Sequence, residues 1–279
     1  MDLPSRLPSC LDNWRLHVVS RLEGGFRSEV FACTTSNGDE VVVKLAATAE
    51  EARVEAAALS AWDDTGTAVH LIDADFEHSA LLMDRVRPAT HLPSNDDPVA
   101  IEVAADLLRR LHETPPGSFP FPDLEQIYAR MERQSREDAA YEQRASGDTM
   151  QGAAGLHRLD VARTAAKKLC ATTERPVLLH GDFLDKNLLW DGAGYVAIDP
   201  IPCIGDACSD VGFFAAGGPP ATAIISRAGA IATRVGLTPQ RAQQWAMIWA
   251  VLQACQAWRQ DQADLEAFLS SDVFALLHD

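Results

Sequence analysis

The first 45 residues alternate apolar and polar positions in short runs broken by turn residues, the pattern of an antiparallel sheet. Trp14–Leu22 predicts a first strand, Glu23-Gly24-Gly25 a turn, and Glu29–Thr34 a second strand. Asn37-Gly38 is a hairpin signal ahead of a third strand, Val41–Leu45. Thr48-Ala49-Glu50-Glu51 fits a capping box, with Thr48 as N-cap, and opens an Ala- and Leu-rich helix that runs to Trp62. Val69–Ala74 and Ser79–Met83 predict two further strands. The period then changes. Asn95-Asp96-Asp97-Pro98 starts a helix in which Val103, Leu107 and Leu111 recur one turn apart, ended by Pro115-Pro116-Gly117. Further helices are expected over Leu124–Arg144, Leu156–Ala171, Ala207–Ala216 and Ala221–Val235. A last one, capped by Thr238, is expected to run from Pro239 to about Gln260, its tryptophans packing into a core. No repeat period interrupts this order.

Between the helices lies a stretch of the other period, residues 177–200. Val177–Leu179 reads as a buried strand, His180-Gly181-Asp182 as a polar turn, and Asn187–Trp190 and Tyr195–Ile198 as the arms of a hairpin closed by Asp191-Gly192-Ala193-Gly194. Setting Trp190 opposite Tyr195 places Leu189 against Val196 and Asn187 against Ile198. Asp199 then emerges beside Asn187, next to the turn that carries Asp182. Oxygen-rich groups of this kind suit magnesium, which takes a few carboxylates and completes its shell with phosphate and water. An Asp, an Asn five positions on and a second Asp after the next strand is the arrangement of a kinase catalytic loop. There the first Asp accepts the substrate hydroxyl proton, and the other two hold metal against nucleotide phosphates. The alternative is an Asx-turn and a capped hairpin without chemistry.

Composition narrows the field. The 279 residues are 47% hydrophobic, enough for one large domain or two lobes, and the net charge of -16 argues against nucleic acid, whose phosphates need Lys and Arg. The acidity is either a solubility device or in part the lining of a cleft for a cationic substrate. Six cysteines without a C-x-x-C pair suggest neither a zinc ribbon nor a redox motif, and read as reduced core residues of a cytoplasmic protein. The N-terminus is broken by Pro4 and Pro8 and has no signal core. The apolar region from Val211 to Ile225 contains Gly217-Gly218-Pro219-Pro220 and is too interrupted to span a membrane.

HGDFLDKN at 180–187, followed by AIDP at 197–200, resembles the Brenner-type motif and metal-binding Asp of the aminoglycoside phosphotransferases. The Ile-Asp-Pro form is most similar to the streptomycin 6-phosphotransferase and hydroxyurea phosphotransferase branch. The resemblance implies an α+β, bilobal protein-kinase-like fold: a small antiparallel-sheet lobe over residues 1–84 with one helix, a hinge at 85–88, and a mainly helical lobe over 89–279. It implies ATP and Mg²⁺ as cofactors and a small-molecule hydroxyl as acceptor. Asp182 is the expected catalytic residue, with Asn187 and Asp199 as metal ligands.

Lys44, in a β-branched run, lies either on an exposed edge face or is held inward, where kinases use a third-strand Lys to grip the phosphates. Glu51 and Glu55 lie one turn apart; Glu55 is the expected Lys44 partner, since Glu51 serves the cap, and solvation of both is the alternative. Gly24 and Gly25 could cover the phosphates, with Ser28 adding a contact, although the run lacks both the Walker and the full protein-kinase glycine patterns. Adenine is expected against backbone just after Met83, over Asp84 to Val86. His180 is expected to brace the loop, and Asp210 to support it through backbone groups or to serve as a helix cap. Asp261, Asp264 and Glu266 are candidates for a cationic acceptor, or an exposed charged face. Streptomycin leads as acceptor by resemblance alone, ahead of hydroxyurea or another small metabolite; a non-catalytic kinase-like binding module is the rival. A monomer or weak dimer is expected.

Overall fold

The computed structural model describes residues 3–22, 28–93, 97–146, 149–256 and 262–278. The chain opens with helix α1 (Leu3–Trp14), which the alternating pattern did not reveal. Trp14 ends this helix, so β1 begins later than expected, at Leu16, and runs to Leu22. With β2 (Glu29–Thr35), β3 (Glu40–Leu45), β4 (Leu71–Asp75) and β5 (Ala80–Asp84) it forms an antiparallel sheet of order β1-β2-β3-β5-β4. Cys10, Leu16, Val41, Val43 and Leu45 are buried together between α1 and the sheet. The helix α2 (Ala49–Trp62) covers the other face through Ala52, Ala56 and Leu59. Its start follows the expected chemistry, for the Thr48 side chain accepts a hydrogen bond from Glu51 N at 3.1 Å.

Beyond the sheet the chain is mostly helical. The long elements are α3 (Pro98–Glu113), α4 (Leu124–Ser146), α5 (Thr149–Ala171), α6 (Ala207–Ala216), α7 (Ile224–Arg234), α8 (Pro239–Ala254) and α9 (Gln262–Leu269). Asp97 caps α3 by accepting from Val99 N at 2.8 Å, with Pro98 in the first turn. Residues 221–223 form a separate 3₁₀ turn before α7, and α8 stops at Ala254 with Cys255 as C-cap, short of the expected Gln260. Thr238 occupies the N-cap position of α8, but only its backbone carbonyl takes part, accepting from Ala242 N at 3.1 Å. Trp245 and Trp249 are fully buried, as expected of core residues. Their indole N–H groups donate to Asp206 Oδ2 at 2.7 Å and Ser209 Oγ at 3.1 Å, so burial strands no donor. Trp258 lies outside the described residues.

Two small sheets sit where the five-stranded sheet meets the helices. The strands β8 (Leu188–Trp190) and β9 (Tyr195–Ala197) pair as Leu188↔Ala197, Leu189↔Val196 and Trp190↔Tyr195, the register read from the sequence. A two-residue strand, β6 (Thr90–His91), joins β8 from the other side. The second small sheet pairs β7 (Val177–Leu179) with β10 (Cys203–Gly205). Backbone bonds Val69 N to Ala197 O (3.0 Å) and Ala197 N to Thr67 O (2.8 Å) tie the hairpin to the segment after α2. Sheet and hairpin are thereby held in fixed relation, which positions the site between them. No helix among the described residues is long and apolar enough to cross a membrane.

Candidate active site

Lys44 points inward from β3. Its side chain is buried on the α2 side of the sheet, opposite Val43 and Leu45, and an ammonium there must be paired. Its Nζ lies 2.7 and 2.6 Å from the two oxygens of Glu55, and 2.5 Å from Asp199 Oδ1. Glu55 is on the inward face of α2, itself buried, one turn after the Glu51 whose N–H serves the cap. Burial alone would drive the proton off Lys44, but the two carboxylates together outweigh it and raise its pKa. Burial likewise pushes Asp199 up, and Lys44 more than offsets this, so Asp199 stays below the usual carboxylate range. Asp199 has φ 57°, the left-handed region that a non-glycine residue enters at some cost. That bend follows directly on β9 and accompanies the carboxylate's turn toward Lys44.

The loop between β7 and β8 supplies the other half. A 3₁₀ turn over Asp185–Asn187 brings Asn187 back to Asp182, and Asn187 Nδ2 donates to Asp182 O and to Asp182 Oδ2, both at 2.9 Å. The hairpin bond from Ile198 N to Asn187 O at 2.9 Å sets Asn187 directly across from the residue that precedes Asp199. Burial raises the Asp182 carboxyl to about 6, against the nearby Lys186 and the Asn187 hydrogen bond, which favour the charged form. Because Asn187 spends its NH₂ on Asp182, its amide oxygen lies on the opposite branch. That oxygen and the Asp199 carboxylate are hard donors of the type a magnesium ion accepts.

Three residues hold this loop without facing a substrate. Gly181 has φ 75°, and a Cβ there would sit 2.0 Å from the Ile201 carbonyl oxygen, so only glycine fits the turn. His180 is fully buried; burial lowers its pKa to about 4 and keeps it neutral. Its Nε2 donates to Ile198 O at 3.1 Å, and Nδ1 receives Asp182 N at 3.4 Å, a bracing role. Asp210, in the first turn of α6, accepts His180 N (2.8 Å) and Gly181 N (2.9 Å). His112 Nε2 lies 2.9 Å from the same carboxylate. His112 was not foreseen: a histidine in the last turn of a helix reads as a complement to the helix dipole. The expected helix cap is Asp206 instead, which accepts Cys208 N at 3.0 Å and receives Arg241 Nε at 2.5 Å.

The remaining candidates fall less close together. Gly24 and Gly25 lie outside the described residues, as does Asp261. Ser28 is half-buried just before β2. Met83 is buried at the end of β5; Val86 and Ile198 pack against its cluster, so an apolar wall adjoins Asp199. Asp84 is exposed, and its N–H is taken by His70 O at 3.1 Å. The following strap is fastened by Arg85 and Arg87 to Glu40, with Arg85 Nη1 2.9 Å from Oε1. Asp264 is committed to backbone, accepting Ala221 N at 2.9 Å, and Glu266 is half-buried on α9.

Residues 13–262 match the model of a family described as aminoglycoside/hydroxyurea antibiotic resistance kinase. The streptomycin 6-kinase of Streptomyces griseus is 30% identical over 213 residues, 75% of this chain and 65% of that protein. The chain therefore spans just under two thirds of that relative's length. The hydroxyurea phosphotransferase of Kitasatospora aureofaciens is 30% identical over 268 residues, 91% of this chain and 72% of that protein. Among solved structures, an aminoglycoside phosphotransferase in ternary complex with ADP and hygromycin B superposes with a TM-score of 0.60 at 14% identity, covering 97% of each chain. At that identity the likeness concerns the fold, which is bilobal and protein-kinase-like.

Proposed function

The chain belongs to the aminoglycoside/hydroxyurea antibiotic resistance kinase family, and from that premise we propose that it transfers the γ-phosphoryl group of ATP to a hydroxyl of a small antibiotic. The observation that carries the reading is the bridge from Lys44 to both Glu55 and Asp199, across from the Asn187–Asp182 pair. A buried cation fixed at the mouth of a carboxylate and amide cluster is the equipment that phosphoryl transfer needs, since that reaction is mostly positioning and charge neutralisation.

In this reading residues 1–84 form the nucleotide lobe, 85–88 the hinge and 89–279 the acceptor lobe. Adenine lies against the Met83–Val86 strap, with Gly24, Gly25 and Ser28 near the phosphates. Lys44 grips phosphate oxygens and is oriented by Glu55. Asn187 and Asp199 would hold Mg²⁺, which when bound neutralises phosphate charge. Asp182 orients the acceptor hydroxyl and takes its proton as the O–P bond forms. Its carboxyl, about 6 by burial, is then mostly ionised at neutral pH and still a usable base.

A streptomycin-type aminoglycoside is the leading acceptor. Its cations would be met by the acidic residues of the helical lobe, Asp261, Asp264 and Glu266 among them. The match to the hydroxyurea phosphotransferase, which covers more of this chain, keeps hydroxyurea as the second candidate. The deciding experiment is MgATP turnover across a panel of aminoglycosides and hydroxyurea, with mass spectrometry of the product. One added phosphate on streptomycin fits the first reading, and on hydroxyurea the second. No stimulation by any member, together with no nucleotide-induced thermal shift, would replace both with a binding module.

A further inference from the structure

On the far side of the sheet from α2, one group of side chains has no part in phosphoryl transfer. Cys10 of α1 faces Asp75 and His78, which sit at the start and within the turn that joins β4 to β5. The thiol sulfur, a carboxylate oxygen and a ring nitrogen all lie within 4.8 Å of one another. Among the described residues this is the one group of three or more His, Cys, Asp or Glu side chains gathered so closely. We propose that Cys10, Asp75 and His78 form a site for a borderline transition-metal dication of the Zn²⁺ class, which clips α1 to the β4–β5 turn.

The donor set decides the class of ion. One sulfur, one imidazole nitrogen and one carboxylate oxygen match the ligands zinc prefers, whereas magnesium and calcium want oxygen alone. Ligand atoms around tetrahedral zinc stand about 3–4 Å apart, so the thiol needs to close on the other two by only about 1 Å. His78 Nδ1 and Asp75 Oδ2 stand 2.8 Å apart in a hydrogen bond that the ion would replace, the pair opening slightly and the ring keeping its proton on Nε2. The surroundings are held still. Asp75 Oδ1 accepts His78 N at 3.1 Å, and Asn13 Nδ2 donates to Asp75 Oδ2 at 3.2 Å. Arg6, one turn before Cys10 on α1, is buried and donates to Ala46 O at 3.0 Å and His78 O at 3.2 Å. Helix and turn are thus fixed to one another before any ion arrives, which lowers the ordering cost of binding.

Burial, and then the Asp75 charge, raise the Cys10 thiol to about 11, so without an ion it carries its proton. Binding exchanges the S–H bond for an S–metal bond and releases that proton to solvent. Three protein ligands leave a fourth position for water. None of these residues belongs to the machinery assigned to ATP or acceptor, so the proposal stands or falls apart from the kinase reading.

The test uses the tag-free full chain, stripped with a chelator and titrated with Co²⁺ as a spectroscopic stand-in. One equivalent should produce an intense near-ultraviolet thiolate-to-cobalt band that Zn²⁺ displaces, and Zn²⁺ should raise the melting temperature to a plateau at one equivalent. Cys10→Ser and His78→Ala should each lose both effects. Absence of the band, or its survival in either variant, would overturn the assignment, the second result placing the metal on another cysteine. Should Cys10→Ser fail to fold, His78→Ala on its half-buried turn decides the matter.

Discussion

Asp182 shows how a single residue's surroundings set its chemistry. Its carboxyl is raised to about 6 because burial penalises the anion more than Lys186 and Asn187 favour it. In the proposed reaction the base is the ionised form, so kcat/KM should decline as pH falls through about 6 and level off above it. A profile flat across that window would remove Asp182 from the proton-accepting role. Asp182→Ala should fold normally and lose about 10²–10⁴ in turnover, the usual value of a positioned base. Its neighbour Gly181 is constrained by backbone alone. Gly181→Ala forces an L side chain to φ 75° and onto the Ile201 carbonyl. It should therefore lower stability by at least about 1–2 kcal/mol, read as a shift in the urea midpoint. An unshifted midpoint would mean that the loop has another conformation open to it.

At the scale of elements, the loop between β7 and β8 is not self-supporting. Its strand β7 is three residues long, and the turn that follows hangs on the first turn of α6 through Asp210. Asp210 is buried, and burial works against its charge, but His112, His180 and the Gly181 N–H hold its pKa low. Asp210→Asn puts an amide NH₂ where three donors converge, and leaving one of them unmatched costs about 1–3 kcal/mol. The variant should melt earlier and lose turnover while its KM for MgATP changes little, because Lys44 and Asp199 are untouched. A rise in KM with turnover intact would show that Asp210 acts on nucleotide binding instead.

At the scale of the whole molecule, Lys44 is where the large sheet meets the β8–β9 hairpin. The pair it makes with Glu55 is buried, and such a pair is best judged by what its breakage leaves behind. Lys44→Met would leave Glu55 facing Asp199 with no cation between them. It should cost about 3–5 kcal/mol at neutral pH. The sign with pH follows from Glu55, whose pKa burial already raises. With the lysine gone it rises further, so acidification protonates the stranded carboxyl and narrows the gap to wild type. A gap that widens on acidification would contradict the buried ion pair. Asp199→Asn is milder, since Lys44 keeps Glu55 and the amide keeps an oxygen. It should impair MgATP use far more than it lowers the melting temperature. Equal activity across a magnesium titration would reject Asp199 as a metal ligand.

What could be read from the chain directly was whatever repeats or terminates within a few residues. The two-residue period of β8 and β9 around an Asp-Gly turn dictates their register, and that register alone puts Asn187 beside the residue before Asp199. The Thr48 cap and the helical period likewise place Glu51 and Glu55 one turn apart on a single face of α2. These are short-range steric and hydrogen-bonding rules, so the sequence suffices. It could not show α1, because Pro4 and Pro8 hide a helix whose stability comes from burying Cys10, Leu7 and Leu11 against the sheet. Nor could it join His112 to Asp210 or Cys10 to His78. Those contacts close across long loops, where no local period correlates the partners and only the packing of helices and sheets brings them within reach.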